Sequence, residues 1–405
     1  MRTLVVGLGK SGIAAKNLLE REGDEVVGYD DLIDSTVPGV QTFDRLILSP
    51  GVPPSHRVVS DAAKCGIPII GEAQLALERM KQRAIAITGT NGKTTVTLLI
   101  AHVLKEAGFS AHALGNVGAP LSDYVLNAKP DDIAVVELSS FQLDTLSSKC
   151  FDMGIILNIT PDHLDRYPSM EAYAISKCHL QHCLKPGGEL WVHSSVAEEY
   201  AHLLSTQFQT FGENLDCLLT QNCINFSFSG KHDIDNLQAA WIACRPFVNE
   251  DVFWKAAQSF KKPAHRIEWV AAWNGVDYVN DSKGTNIDAT IKAVEAMDRS
   301  TILIVGGVDK GASYAVWKKS FANKVRQVVA IGQASEKIAH DLRPEFDVVI
   351  VPSLSDAVHH SERTAQKGDV VLLSPGCSSY DMFRDYAHRG DEFKRIVYLL
   401  QEKKG

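Results

Sequence analysis

The sequence has no C-x-x-C pair, no internal repeat, no low-complexity tract and no apolar run near the ~18 residues a bilayer-spanning helix needs. Its cysteines, Cys65, Cys150, Cys178, Cys183, Cys217, Cys223, Cys244 and Cys377, are scattered along the chain, as expected of reduced intracellular thiols rather than a disulfide framework. Basic charge is also scarce. Lys and Arg number 41 against 49 Asp and Glu, a net charge of -8, so there is no basic field for nucleic acid. The first residues run straight into a strand-like stretch, with neither a basic leader nor a cleavage site. The expectation is a cytoplasmic protein with no nucleic-acid and no membrane partner.

With 45% hydrophobic and 22% charged residues the composition is that of a globular protein, and 405 residues exceed what one core usually serves. Strand-like runs at 3–6, 25–30, 44–48 and 67–70 alternate with helical stretches at 11–22, 56–65 and 72–81. A charged segment, 78–83, leads into a second α/β unit with strands at 84–88, 132–137 and 151–159. Residues 205–230 carry short, polar-interrupted apolar patches that suggest antiparallel strands or loops. Beyond Pro263, Asn274-Gly275 between two apolar runs predicts a hairpin, and strands at 301–305, 327–331, 347–351 and 369–373 alternate with helices.

Two glycine-rich turns follow strands. Residues 84–95 read AIAITGTNGKTT, a strand, a tight turn and a helix-compatible run from Lys93 to about Ala107. A phosphate loop wants a glycine where Ile87 stands, so the pattern is partial. Backbone N–H groups and a helix N-terminus still converge on one point, with Lys93 placed for outer phosphates and the Thr94 hydroxyl for Mg²⁺. The other turn, in MRTLVVGLGKSG, fits G-x-G-x-x-G through Gly7, Gly9 and Gly12, with Asp30 ending the next strand. Alone it reads as a dinucleotide site of an NAD-dependent oxidoreductase, although the same turn serves any pyrophosphate.

Further polar residues sit at strand ends, where open α/β sheets bind ligands. Glu137 closes the strand IAVVE and suits Mg²⁺, while His163 follows a Pro-Asp turn in NITPDH. The cluster Cys178, His179, His182 and Cys183, read on a helix, makes two separate pairs rather than one zinc shell. On sequence alone Lys177 is a surface helix residue. NDSKGTN (280–286), VGGVDKG (305–311) and LSPGCSSYDMF (373–383) supply three polar strand ends in the last unit.

In order, GTNGKTT, VELSSFQL, NITPDHLDRYPS, Lys177, AHRIE, NDSKGTN, GGVDKG and LSPGCSSYDMF resemble the Mur ligases of bacterial cell-wall synthesis, over essentially the whole chain and closest to the D-glutamate-adding branch. The resemblance implies an α/β fold of three domains: a Rossmann-like UDP-substrate domain (1–82), a central P-loop ATPase-type domain (83–262) and a Rossmann-like amino-acid domain (263–405). It implies an ATP-dependent amide ligase that adds D-glutamate to UDP-N-acetylmuramoyl-L-alanine through an acyl phosphate and a tetrahedral intermediate, acting as a monomer. The first glycine turn is then similar to one that holds UDP pyrophosphate, with Gly9, Lys10, Ser11, Asp30, Ser49 and Gly51 near that moiety.

Gly89, Thr90, Asn91, Gly92, Lys93, Thr94, Thr95, Asn116, Arg266 and Asp281 resemble ATP contacts, as does Asp309. Thr94, Glu137, His163 and Lys177 resemble ligands around two Mg²⁺ ions, Lys177 as the CO₂-derived carbamate the family forms, and Lys93, Glu137, His163 and Lys177 carry the catalysis. Lys283, Thr285, Lys310, Ser378, Ser379 and Tyr386 would surround D-glutamate. A sister ligase adding another amino acid, the folylpolyglutamate synthetases among them, shares the loop and the mechanism. A nucleotide-binding regulatory protein would keep the loop but has no need of Glu137, His163 and Lys177 together.

Overall fold

A computed structural model describes residues 1–34, 36, 39–205, 207–212 and 231–402. It divides into two compact units. The first holds Met1–Ile159, Glu171–Phe226 and Ile234–Phe260, and the second Thr160–Met170, Ser227–Asp233 and Lys261–Gly405. No described helix is long and apolar enough to cross a membrane.

The first unit contains two parallel sheets. β1 (Arg2–Val6), β2 (Glu25–Tyr29), β3 (Arg45–Leu48) and β4 (Ile69–Gly71) are ordered β2-β1-β3-β4. Alternation along the strands sends Leu4, Val6, Leu46 and Leu48 to one face, against Val58, Val59 and Ala62 of α2 (Arg57–Lys64). Val5 and Ile47 go to the other face, against Ala15, Leu18 and Leu19 of α1 (Lys10–Arg21) and Leu75 of α3 (Glu72–Leu77).

The second sheet has the order β10-β9-β8-β5-β7-β6, from β5 (Arg83–Thr88), β6 (Ala111–Gly115), β7 (Ile133–Glu137), β8 (Phe151–Ile156), β9 (Leu184–His193) and β10 (Gln209–Phe211). The chain leaves β5 through α4 (Lys93–Glu106), builds β6 and β7 on one side, then crosses to build β8 on the other. Such a reversal opens a crevice beyond the carboxyl end of the central strand. Val96, Leu99, Ile100, Val103 and Leu104 of α4 are all buried, so the helical period expected from Lys93 onward is the period that packs. The antiparallel reading of 205–230 fails where it can be checked: Gln209–Phe211 pairs in parallel with Trp191–His193. The polar interruptions mark a short edge strand, and residues 213–230 lie outside the described residues.

The second unit carries β11 (Glu268–Trp273), β12 (Val276–Asn280), β13 (Thr301–Gly306), β14 (Val325–Ile331), β15 (Val348–Ile350) and β16 (Val370–Leu373), ordered β11-β12-β16-β13-β14-β15. β11 and β12 form the expected antiparallel hairpin, turned by Asn274 (φ 52°) and Gly275 (φ 76°) as an Asn-Gly turn requires. Every other pairing in this sheet is parallel.

Within the first unit, α3 joins the two sheets. Gln74, 6% exposed, accepts N–H bonds from Ser147 (2.8 Å) and Ser148 (3.1 Å), just after α6 (Ser140–Leu143), and donates to Ser148 Oγ (2.7 Å). Glu72 accepts from Ser122 N (2.8 Å) in the first turn of α5 (Leu121–Val125). Gln74→Ala leaves two N–H groups without their acceptor and is expected to destabilise this unit by about 2 kcal/mol. Calorimetric unfolding reads this directly, and an unchanged transition would contradict the role given to Gln74.

Candidate active site

Four elements meet at the carboxyl edge of the central sheet: the turn after β5, the end of β7, the segment after β8, and α7 (Met170–Cys178). The turn is possible because Gly89 (φ 148°) and Gly92 (φ 86°) take conformations that side chains rarely adopt. A Cβ on Gly92 would also strike Asn236 Oδ1. Lys93 opens α4, and its Nζ donates to the carbonyls of Gly89 and Thr90, at 2.8 Å each. Thr94 and Thr95 occupy the first turn of α4, where backbone N–H groups lack intrahelical acceptors.

Glu137, the last residue of β7, sits in register with Ile87, and its side chain is 1% exposed. Asn116 Nδ2 donates to Glu137 Oε1 (2.8 Å), whereas buried Oε2 has no hydrogen-bond partner among the described residues. A buried acceptor-only oxygen left without a donor is costly, and a hard cation that prefers carboxylate oxygen satisfies it. The residues present therefore fit Mg²⁺.

Lys177 departs from its sequence reading. It is 1% exposed, not on the surface: Tyr173 (1%) and Lys177, four residues apart, share the inward face of α7 while Ile175 (54%) points out. Lys177 Nζ donates to Gly89 O (2.7 Å) and lies 4.6 Å from the Tyr173 ring centroid, while the Tyr173 hydroxyl is 3.2 Å from Thr90 Oγ1. Gly89 O thus receives both Lys93 and Lys177. Cys178 and Cys183 are buried, and His179 bonds the Leu146 carbonyl (2.6 Å). The segment Cys178–Cys183 is a helix end followed by a 3₁₀ turn rather than one α-helix.

In the first sheet, Gly7 (φ 85°) and Gly12 let α1 approach the turn, since a Cβ on Gly12 would strike Gly7 O. Asp30 accepts from the N–H of Leu8 (2.7 Å) and of Leu32 (3.0 Å), and Ser49 Oγ donates to Gly7 O (2.6 Å). Both residues therefore shape the turn. Gly9, Lys10 and Gly51 are exposed around it and Ser11 is half-buried.

In the second unit, Asp162 forms a cluster with Lys310 Nζ (2.9 Å), Asn286 Nδ2 (3.1 Å) and its neighbour His163, whose φ is 56°. Burial alone would raise the Asp162 carboxyl. The charges of Lys310 and His163 and the bonds from Lys310 and Asn286 outweigh it and hold the carboxyl at about 2. Asp309 accepts from Tyr314 OH (2.8 Å) and Lys337 Nζ (2.7 Å). The Lys283 ammonium lies 4.0 Å from the Tyr386 ring centroid. Thr285 and Ser378 are half-buried and Ser379 is buried.

Arg389, 1% exposed, donates to Ser282 Oγ (3.0 Å), Ser282 O (2.9 Å) and Cys377 O (3.2 Å), tying NDSKG to GCSS. Burial lowers it to about 10, still charged at neutral pH. Arg266 is half-buried beside His265. Sequence reasoning singled out neither Asn158, Asn236, Asp162, Asn286 nor Arg389. Asn158, Asp162 and Asn286 lay inside quoted motifs, whereas Arg389 in an amphipathic helix carried no signal.

Asp281 is buried at the start of NDSKGTN, accepting from Ser374 Oγ (2.7 Å) and Ile267 N (3.2 Å). Burial pushes its carboxyl from 3.8 up to about 7, against the bonds that favour ionisation. A raised carboxyl contributes stability that is whole below the unfolded value and fades as pH rises through the folded one. The window is therefore 3.8 to about 7, worth at most roughly 4 kcal/mol. Denaturant unfolding of Asp281→Asn should show a stability that gains on the native chain as pH rises from 4 to 8. A difference independent of pH would contradict the buried carboxyl.

Residues 87–214 match the Mur ligase middle domain and residues 265–377 the Mur ligase, glutamate ligase domain. The chain is 43% identical to the UDP-N-acetylmuramoylalanine--D-glutamate ligase of Protochlamydia amoebophila, covering 98% of each, and 37% identical to that of Lachnoclostridium phytofermentans, covering 99% of each. Among solved structures it resembles the UDP-N-acetylmuramate-alanine ligase MurC of Thermotoga maritima (TM-score 0.62, 17% identity, all of both chains). It also resembles the MurF ligase of Thermotoga maritima in complex with ADP (TM-score 0.63, 17% identity, 100% of this chain and 95% of that one). The expected three-domain α/β fold is the fold of these structures, and the chain belongs to the Mur ligase family.

Proposed function

We propose that the chain is an ATP- and Mg²⁺-dependent ligase that joins D-glutamate to UDP-N-acetylmuramoyl-L-alanine in peptidoglycan precursor synthesis, releasing ADP and phosphate. The observation that carries this reading is the buried Oε2 of Glu137, without a hydrogen-bond partner among the described residues, at the end of the strand beside the Gly89–Thr94 turn. An oxidoreductase would rest on the Gly7–Gly12 turn and Asp30 alone and would leave GTNGKTT unexplained.

A carboxylate is a poor electrophile at neutral pH, and phosphorylation converts it to an acyl phosphate with a good leaving group. The amine of D-glutamate then attacks, and the tetrahedral intermediate expels phosphate. On this reading the backbone N–H groups that open α4, Lys93 and Asn116 orient the triphosphate, with Thr94 and Glu137 holding the metal. Mg²⁺, when bound, neutralises phosphate charge during transfer. Lys177, as a carbamate, would change from cation to anion at that metal, and the second ion belongs to this proposal.

The same reading keeps His163 as a metal ligand, Arg266, Asp281 and Asp309 for the nucleotide, and Gly9, Lys10, Ser11, Asp30, Ser49 and Gly51 for UDP. Lys283, Thr285, Lys310, Ser378, Ser379 and Tyr386 remain with D-glutamate. It also takes domain limits of 1–82, 83–262 and 263–405, a monomer and a cytoplasmic location.

Phosphate release should require ATP, Mg²⁺, UDP-N-acetylmuramoyl-L-alanine and D-glutamate together. Activity only with a different amino acid would move the assignment to a sister Mur ligase, and turnover without ATP would end it. Glu137→Gln is expected to lower kcat by about 10²-fold or more. Lys177→Ala should lose most activity and regain part of it with a short carboxylate in solution, and normal turnover by that variant would refute its carbamate role.

A further inference from the structure

The hydrogen-bond ladder between β5 and β8 does not stop where the strands end. Leu157 N donates to Thr88 O (3.0 Å) and Thr90 N to Asn158 O (2.8 Å). Beyond this rung a side chain, the carboxamide of Asn158, continues the contact with the turn. Its Oδ1 accepts from Asn91 N (2.8 Å), and its Nδ2 donates to Asn91 O (3.0 Å).

This is a peptide-like pair of bonds made by one side chain. A primary amide offers a donor and an acceptor on one planar group, as a backbone peptide does. The turn also rests directly on this residue, since a Cβ on Gly89 would come within 3.2 Å of Asn158 N and 3.3 Å of Asn158 O. On its far side Gly92 lies against buried Asn236.

We infer that Asn158 is a positioning residue for the nucleotide: by holding the N–H groups of Thr90 and Asn91 and the Asn91 carbonyl, it fixes the turn that leads into α4, whose opening N–H groups receive the triphosphate, without touching substrate itself. The inference rests on the proposed ATP-dependent activity and adds a residue to it. A turn free to relax lets the N–H groups that open α4 shift, and displacements near 1 Å can cost about 10²-fold. Asp at this position keeps the acceptor for Asn91 N but sets an oxygen against Asn91 O.

The test compares the full chain with Asn158→Ala and Asn158→Asp, measuring KM for ATP, for the UDP-linked substrate and for D-glutamate, with thermal unfolding alongside. The expected result is a KM for ATP raised about ten-fold or more in both variants, with the other two KM values within about two-fold of the native chain. An unchanged KM for ATP overturns the inference. So does an equal rise in all three, which a merely structural role would give. If Asn158→Ala is not recovered folded, Asn158→Asp decides by the same criteria. A native chain that binds no ATP would instead bring down the proposed function, and this inference with it.

Discussion

The carbonyl of Gly89 is the acceptor on which the central site is organised. Two ammonium groups reach it, Lys93 from the start of α4 and Lys177 from the inward face of α7. A carbonyl with two lone pairs can serve both, but two cations at one oxygen repel each other unless anionic charge is near. Buried Glu137, in register with Ile87 of the central strand, brings a carboxyl to this edge of the sheet, and its Oε2 has no hydrogen-bond partner among the described residues. The glycine conformations at 89 and 92 let the chain turn sharply enough to offer this carbonyl to both lysines.

The second unit handles charge in a different way. Arg389 is buried with no carboxylate partner among the described residues and spends its donors on two loop carbonyls and a hydroxyl. A lysine there would tend to shed its proton, whereas guanidinium stays charged and gives a planar fork that can bind two loops at once. Asp281 and Asp162 show the two outcomes for a buried carboxyl. Asp281, with hydroxyl and amide donors, is pushed up, and Asp162, with an ammonium in contact, is held down. Like residues in one unit are thus set apart by their neighbours, the arrangement from which distinct proton and charge roles arise.

Much of this was legible in the residue order. Strand-turn-helix at 84–107, the Asn-Gly hairpin and the position of Glu137 at a strand end follow from periodicity and turn chemistry, which are local properties. Lys177 was not legible from its own helix, because burial there is decided by Tyr173 and the Gly89 carbonyl, groups distant in sequence. Asn158 and Asn236 were hidden for the same reason: an asparagine after a strand or inside a helix looks like an ordinary cap or a solvated residue until the turn it touches is in place. The edge strand Gln209–Phe211 was misread because three residues are too few to reveal the direction of pairing.

The central claim is that the outermost phosphoryl group of a triphosphate held at the Gly89–Thr94 turn passes to a substrate carboxylate. Substrate carrying ¹⁸O in its alanyl carboxyl tests it most directly, by mass analysis of the inorganic phosphate released in one turnover. The account predicts that one labelled oxygen moves from the carboxyl into phosphate. Phosphate released with no label, alongside normal amide formation, would contradict it.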